Sequence, residues 1–282
     1  MTVTSFSFWI CYIFTASAHV HLRTWNQGGR GVSTQEKKFQ SPDMNESFHT
    51  TKVNGTFDSG HYWDDRYKRN QSSGAGSYGA FRDFKAHYLN DFVVRHNVSD
   101  VIEFGCGDGE QLSKAEYKSC CGVDVSDTVI RMNQERFTGD KSKLFVALKD
   151  YNATQSYEQF DLSLSLDVIY HLVEDDVFDA YMKNLFAASR KFVVIYSTAY
   201  ERRHAEHVRH RNFTTWVLSH APEWKLVEHV QLPPDLKAQA QADPTGSSSA
   251  DPAVAFSAYE KQAMSLSQQV DAETKELRRT SS

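Results

Sequence analysis

Much that would narrow the field is missing from these 282 residues. The four cysteines (Cys11, Cys106, Cys120 and Cys121) make no C-x-x-C pair. Neither a zinc site nor a disulfide framework is indicated. Cys120 and Cys121 are neighbours, and disulfide geometry wants Cα atoms further apart than one peptide bond comfortably allows. There is no excess of positive charge: the net charge of −5 gives no basic field for nucleic acid. The charges are mixed along the chain and read as a solvated surface. The longest basic cluster, HVRHR at 207–211, is too short for a polynucleotide track, though long enough to grip one polar or anionic small molecule. No internal repeat is present, and no apolar run reaches the roughly 20 residues of a spanning helix. What is there, 40% hydrophobic and 13% aromatic residues, suits a soluble globular protein. The length allows one sizeable core or at most two small ones.

The N-terminus pulls two ways. SFSFWICYIFTASA, Ser5 to Ala18, is apolar and uncharged and ends in Ala-Ser-Ala. That suits a signal-peptide core with its cleavage site, but no Lys or Arg precedes it, so a plain hydrophobic leader stays open. In either case no stable membrane span is expected in the mature chain. N-x-[ST] sequons begin at Asn45, Asn54, Asn70, Asn97, Asn152 and Asn212, six of ten asparagines, and tilt the expectation towards the secretory route over the cytoplasm. Asn152 opposes the tilt, because it falls beside the ligand pocket expected below.

The pattern divides the chain into a leader (1–18), a polar linker or disordered arm (19–57), a folded domain (58–262) and a polar tail (263–282). Within the domain, apolar residues at 81, 84, 88, 89, 92 and 93 have helical spacing over Phe81–Asn97. VIEF then reads as a strand, EQLSKAEY as a helix and CCGVDVS as a strand ending at Asp124. DTVIRMNQERF is a helix, KLFVALKD a strand ending near Asp150, and FDLSLSL a fourth strand. A helix over DDVFDAYMKNLFAAS, a strand over KFVVIYST and a helix over FTTWVLSHA follow. EWKLVEHVQL and AVAFSAYEK are two last strands, separated by a Pro/Gly/Ser-rich excursion from Pro233 to Pro252 with no helix expected. This alternation predicts an α/β fold, a Rossmann-like doubly wound, mostly parallel sheet. The two final strands predict an antiparallel edge hairpin.

The stretch VIEFGCGDGEQL, Val101 to Leu112, sets three alternating glycines (Gly105, Gly107, Gly109) directly after the first strand. In an open α/β sheet such a turn lets the backbone approach a ligand at the carboxyl ends of the strands. It can also be no more than a tight strand-to-helix turn. The dinucleotide fingerprint G-x-G-x-x-G would need a third glycine at position 110, which is Glu110, and a carboxylate there repels a pyrophosphate. Glu103 adds a second negative group at the strand end. A cationic, phosphate-free cofactor fits this better. S-adenosylmethionine offers an amine, a sulfonium and a ribose diol. Asp124, 19 residues beyond Gly105, is placed for the diol. Asp150 is placed for an adenine amino group or for a turn.

EFGCGDG resembles the first motif of the class I S-adenosylmethionine-dependent methyltransferases. GVDVS resembles their second motif, with Asp124 in the ribose place. LKDY resembles the adenine-contacting segment, and FDLSLSLDVIYHL the fourth motif, which borders the transferable methyl. The resemblance spans about residues 60–260 and implies that fold, that cofactor and methyl transfer. YWDDRY, SGAGSYG, DVIYHLVEDD and HVRHRNFT more loosely resemble a subgroup of methyltransferase domains associated with sugar or glycan modification. The expected activity is therefore transfer of a methyl group, as an O-methyltransferase, to a hydroxyl of a small polar or sugar-type acceptor. A catalytically inactive binding module of the same fold and an NAD-linked oxidoreductase are the alternatives.

On the acceptor side, His171 lies just past the fourth strand, where a histidine titrating near neutrality can take a hydroxyl proton. Asp167 is the second candidate for that role. SSGAGSYG, Ser72 to Gly79, is a linker or a lid, with Tyr78 and Trp63 as walls over the cofactor. His204, His207 and His210 recur every third residue and on a helix form a drifting stripe. The interleaved arginines disfavour a metal there, and no metal is expected. His207, His210 and Arg211 are placed to recognise a polar or anionic acceptor, or else belong to a solvated loop.

Overall fold

The computed structural model describes residues 52–53, 56–151, 160–242 and 251–263. The leader at 1–18, the greater part of the 19–57 arm, nearly all of the tail and the sequons at Asn45, Asn54 and Asn152 lie outside the described residues. The arm ends in a two-residue strand pair, β1 (Lys52–Val53) antiparallel to β2 (Thr56–Phe57).

Helix α1 (Ser59–Lys68) opens the domain, capped by Asp58, whose carboxylate accepts from the N–H of His61 at 2.7 Å. Helix α2 (Gly79–Arg95) leads into β3 (Asp100–Phe104), and the glycine turn leads to β4 (Ser119–Asp124). Helix α3 (Asp127–Arg136), capped by Ser126, connects to β5 (Lys143–Ala147), and β6 (Phe160–Leu166) follows. Helix α4 (Asp175–Ala187) returns the chain to β7 (Ser189–Ser197). A small hairpin, β8 (Arg202–Ala205) and β9 (Val208–His210), then α5 (Phe213–His220), β10 (Trp224–Gln231), α6 (Pro234–Ala242) and β11 (Ala255–Lys261) complete it.

Seven strands form one sheet in the order β10-β11-β7-β6-β3-β4-β5. The run from β5 to β7 is parallel. β11 is inserted antiparallel between β7 and the edge strand β10. This is the expected doubly wound sheet with an antiparallel strand pair at one edge. Strand order reverses at β3 and β6, where the crevice for a ligand opens. Side chains alternate between two cores, as strand geometry requires. Val101, Leu162, Leu164 and Val194 pack under α2, α3 and α6, while Ile102, Val123, Val193 and Ile195 pack under α4 and α5. Each large apolar side chain buried this way contributes about 1.5–3 kcal/mol.

Three local expectations fail. EQLSKAEY is not an α-helix. It makes one 3-10 turn, Leu112–Lys114, and goes extended at Ala115. Glu110 is drawn to Arg82 and Arg136 (2.5 and 2.7 Å), the Gln111 amide to the carbonyl of Arg82, and Leu112 into the core, so the segment is held by α2 and α3 and not by its own ladder. The Pro/Gly/Ser-rich excursion contains α6. Pro234 opens that helix, where its fixed φ and missing N–H cost nothing, and Leu236 and Ala240 bury one face. The histidine stripe is not helical. His204 lies on β8, His207 in the turn and His210 on β9.

Candidate active site

A cavity of about 450 Å³ opens at the carboxyl ends of β3, β4, β5 and β6, within the size range of small-molecule sites. Its floor is the glycine turn. Gly105, Gly107 and Gly109 all take positive φ (75°, 53° and 75°), where a Cβ would strain the chain. A Cβ on Gly105 would stand 2.5 Å from Val168, and one on Gly107 would stand 2.4 Å from the hydroxyl of Ser73. A Cβ on Gly109 would meet Asn133 at 2.3 Å and the Phe137 ring at 2.8 Å. The first two glycines line the cavity, and the third does not: it lets α3 pack against the turn.

Asp124 ends β4, buried on the cavity wall. One carboxylate oxygen accepts from the N–H of Gly107 (3.0 Å) and the other from the N–H of Ser126 (3.0 Å). Burial pushes its pKa up to about 6 against the pull of those backbone donors. Glu103 points from β3 into the same cavity. Burial raises its pKa to about 8, the charge of Lys85 opposes that rise, and Asp124 adds to it. Its Oε2 and the Oε1 of Gln111, also on the wall, are buried acceptors without a hydrogen-bond partner among the described residues. Buried polar groups ordinarily find partners. Two orphaned acceptors beside a pair of carboxylates fit the ammonium and ribose hydroxyls of S-adenosylmethionine, and they would hold it there.

Over the turn lies the segment before α2. The Ser73 N–H donates to Asp108 Oδ2 (2.9 Å), the Asp108 N–H donates to Ser73 Oγ (2.9 Å), and the Tyr78 hydroxyl donates to Asp108 Oδ2 (2.6 Å). Tyr67 Oη lies 3.1 Å from Ser73 Oγ. Tyr78 thus anchors the lid instead of lining the cavity, whereas Trp63 does line it. Helix α1 is tied down through Asp64, which accepts from Ser126 Oγ at 2.5 Å and from the N–H of Thr128. Glu174 accepts from the N–H of Ser59 at 2.8 Å.

Opposite the turn, Asp167 and His171 follow β6 and both face the cavity. Asp167 accepts from Tyr170 (2.6 Å) and from Lys85. His171 is packed edge-on to Trp63, with ring centroids 4.8 Å apart. Its Nδ1 lies 3.2 Å from the carbonyl of His207. Burial pushes its pKa down to about 3, partly offset by that carbonyl, so the ring is neutral across the ordinary pH range.

Four expected residues stand elsewhere. Asp150 is exposed, in a 3-10 turn past the end of β5, and Leu148 lines the cavity in its place. His207 is a second layer, its ring parallel to that of His171 and stacked on Tyr62. His210 is buried against Thr198 (2.7 Å) and Tyr200. Arg211 is buried, its donors taken by the carbonyls of Leu172 and Val173 and by Asp175. It is a clamp on the loop before α4, with four of its five N–H donors engaged there, and it does not line the cavity. Glu110 likewise faces Arg82 and Arg136 and not the cavity, so its charge is matched away from any ligand. Lys85, Asp108, Gln111 and Glu174 were not anticipated. Lys85 alone had a signal, as a lysine in an otherwise apolar helical stripe. Among the described residues no group of three or more metal-ligating side chains is close enough to hold a metal, and no helix is long and apolar enough to cross a membrane.

Residues 78–242 match the family model of a methyltransferase domain. The chain belongs to this family, the class I S-adenosylmethionine-dependent methyltransferases, and S-adenosylmethionine is its cofactor. The N-methyltransferase NodS from Bradyrhizobium japonicum WM9, solved with S-adenosyl-L-homocysteine, is 18% identical over 73% of this chain and 100% of that one, with a TM-score of 0.56. Magnesium protoporphyrin IX methyltransferase from Synechocystis PCC 6803, solved with S-adenosylmethionine, is 13% identical over 74% of this chain and 100% of that one, with a TM-score of 0.49. At such identities the likeness to NodS speaks for the fold alone. No curated protein sequence matches the chain.

Proposed function

We propose that the domain methylates a hydroxyl of a small polar or sugar-type acceptor. The observation that carries this is the charge of the cavity wall. Asp58, Asp108, Asp124, Asp167 and Glu174 line it together with Glu103, which the fold keeps protonated below about pH 8, and Lys85 is the one lining cation among the described residues. A phosphate or carboxylate acceptor meets like charge there. A neutral polyol brings hydroxyls to the carboxylates and a C–H face to the indole of Trp63.

When bound, S-adenosylmethionine supplies a methyl group made electrophilic by its sulfonium. The protein must align the acceptor and give its proton a place to go. Asp167 and His171 are the groups for that task. The contact of Nδ1 with the His207 carbonyl assigns the ring proton to Nδ1 and leaves the lone pair on Nε2. With a pKa near 3, His171 gives no limb near pH 6.5 in a rate profile. His171 is thus a weak base, but a hydroxyl becomes strongly acidic as its oxygen bonds to carbon, so a weak base suffices.

The test is methyl transfer from labelled cofactor across sugars, polyols, carboxylates, amines and thiols, repeated with His171→Ala. Sugars or polyols are expected to accept and carboxylates to fail, with His171→Ala about tenfold slower or more. Preference for an amine or thiol overturns the hydroxyl reading, and cofactor binding with no transfer overturns catalysis.

The chain is also proposed to follow the secretory route and carry N-glycans. In support, Asn70, Asn97 and Asn212 are exposed. Unchanged gel mobility after glycosidase treatment of the chain from a secreting host would refute this.

A further inference from the structure

Among the described residues three other than glycine have positive φ, and of these only Asp167 lines the cavity. Its φ of 61° lies in the left-handed region, which a residue with a side chain takes only at a cost. The surroundings hold it there. Its N–H donates to the carbonyl of Tyr196 (3.0 Å), Oδ1 accepts from the Tyr170 hydroxyl (2.6 Å) and Oδ2 accepts from Lys85 Nζ. Lys85 comes from the middle of α2 and is 1% exposed. Its ammonium lies 5.3 Å from the centre of the Tyr196 ring and within the field of Glu103. Burying an ammonium is costly, and an apolar side chain of similar volume serves a core at least as well. A lysine at this point of an otherwise apolar helix face therefore needs a reason beyond packing.

We infer that Lys85 is a positioning residue for methyl transfer, acting through Asp167. It fixes the aim of the carboxylate that takes the acceptor's proton and balances its charge. In the step, a lone pair of the acceptor oxygen forms the bond to the methyl carbon. The carbon–sulfur bond breaks and its electron pair stays on sulfur, which becomes a neutral thioether. The hydroxyl proton passes to the Asp167 carboxylate, giving the carboxylic acid. The inference rests on the hydroxyl-acceptor reading for the identity of the attacking atom. The pairing of Lys85 with Asp167 is testable on any acceptor that loses a proton.

The experiment is a double-mutant cycle on the best acceptor of the panel, with cofactor affinity measured by calorimetry. Asp167→Asn is expected to slow transfer about a hundredfold or more. Lys85→Met slows it about tenfold, in kcat, with KM and cofactor Kd within about threefold, and Lys85→Arg recovers most of the loss. The double variant is no slower than Asp167→Asn alone, because Lys85 has nothing left to act through. Multiplying losses overturn the inference, as does full rate in Asp167→Asn. So does a cofactor Kd raised more than tenfold in Lys85→Met, which makes Lys85 a cofactor contact. If Lys85→Met does not melt cooperatively, Tyr170→Phe, which removes the other donor to Asp167, takes its place in the cycle with the same expectations. An amine or thiol as best acceptor with the cycle still non-additive refutes the hydroxyl reading while leaving the pairing intact.

Discussion

The two ends of the cavity are built differently. At the cofactor end, carboxylates are held by backbone N–H groups: Gly107 and Ser126 donate to Asp124, and Ser73 donates to Asp108. At the end proposed for the acceptor, side chains hold side chains across long stretches of sequence, as in Lys85 with Asp167 and Trp63 with His171. Backbone donors arrive with the fold and are fixed by glycine spacing and strand ends. Side-chain partners depend on which helix and hairpin close over the sheet. The first design suits an invariant cofactor, and the second can be changed residue by residue to suit an acceptor.

The largest expected effect bears on the backbone-built end. Asp124→Ala removes a carboxylate that organises the turn and lines the cavity, and should weaken cofactor binding about a hundredfold, near 3 kcal/mol by calorimetry. A loss under tenfold would mean that this end is not built around Asp124. Gly109→Ala comes next, since its Cβ would collide with Asn133 and Phe137. It should destabilise the fold by about 2 kcal/mol in denaturant melts while changing cofactor affinity much less. Gly107→Ala is expected to reverse that order.

Glu103 supplies the third. Its pKa is raised from 4.5 to about 8, so the folded state holds a proton that the unfolded chain has given up. That stability is fully present below pH 4.5 and is lost as pH rises through about 8. Asp124, raised to about 6, acts in the same direction at lower pH. Around pH 6–7 His171, His207 and His210, whose pKa is lowered by burial, act in the opposite direction as the unfolded chain gives up their protons near 6.5. Glu103 is therefore read as the difference in slope between the protein and Glu103→Gln from pH 6 to 8, at most about 1.4 kcal/mol per pH unit in unfolding measurements. The smallest effect is Tyr78→Phe, which removes one donor to Asp108 and should weaken cofactor binding about fivefold, near 1 kcal/mol.

The same contrast governs what could be read from the sequence. Strands with their period of two, the alternating glycines, Glu103 and Asp124 are local signals, and they led to the sheet, the turn and the cofactor. Asp150 was misplaced because β5 stops at Ala147 and a 3-10 turn carries the aspartate out to solvent. Arg211 and His210 read as acceptor contacts because a basic run looks solvated, yet Arg211 donates to backbone carbonyls and His210 is buried against the hydroxyl of Thr198. Asp108 carries no local mark, since its importance comes from a partner 35 residues away, and Lys85 stands out only as a lysine in an apolar helical stripe, with its partner 82 residues on. Helix α1 was hidden by its charges, which cover all but the face bearing Trp63 and Tyr67.

The seating of Ser73 in the space that a Gly107 side chain would fill has a kinetic meaning. The bareness that admits the cofactor also admits the cover, so nothing can leave over the turn until Ser73 lifts away. That movement breaks the paired bonds between Ser73 and Asp108 and frees the Tyr78 hydroxyl. Loosening those hydroxyl and amide contacts is therefore expected to shorten the dwell time of spent cofactor, read as a release rate by stopped flow, with the transfer step unchanged.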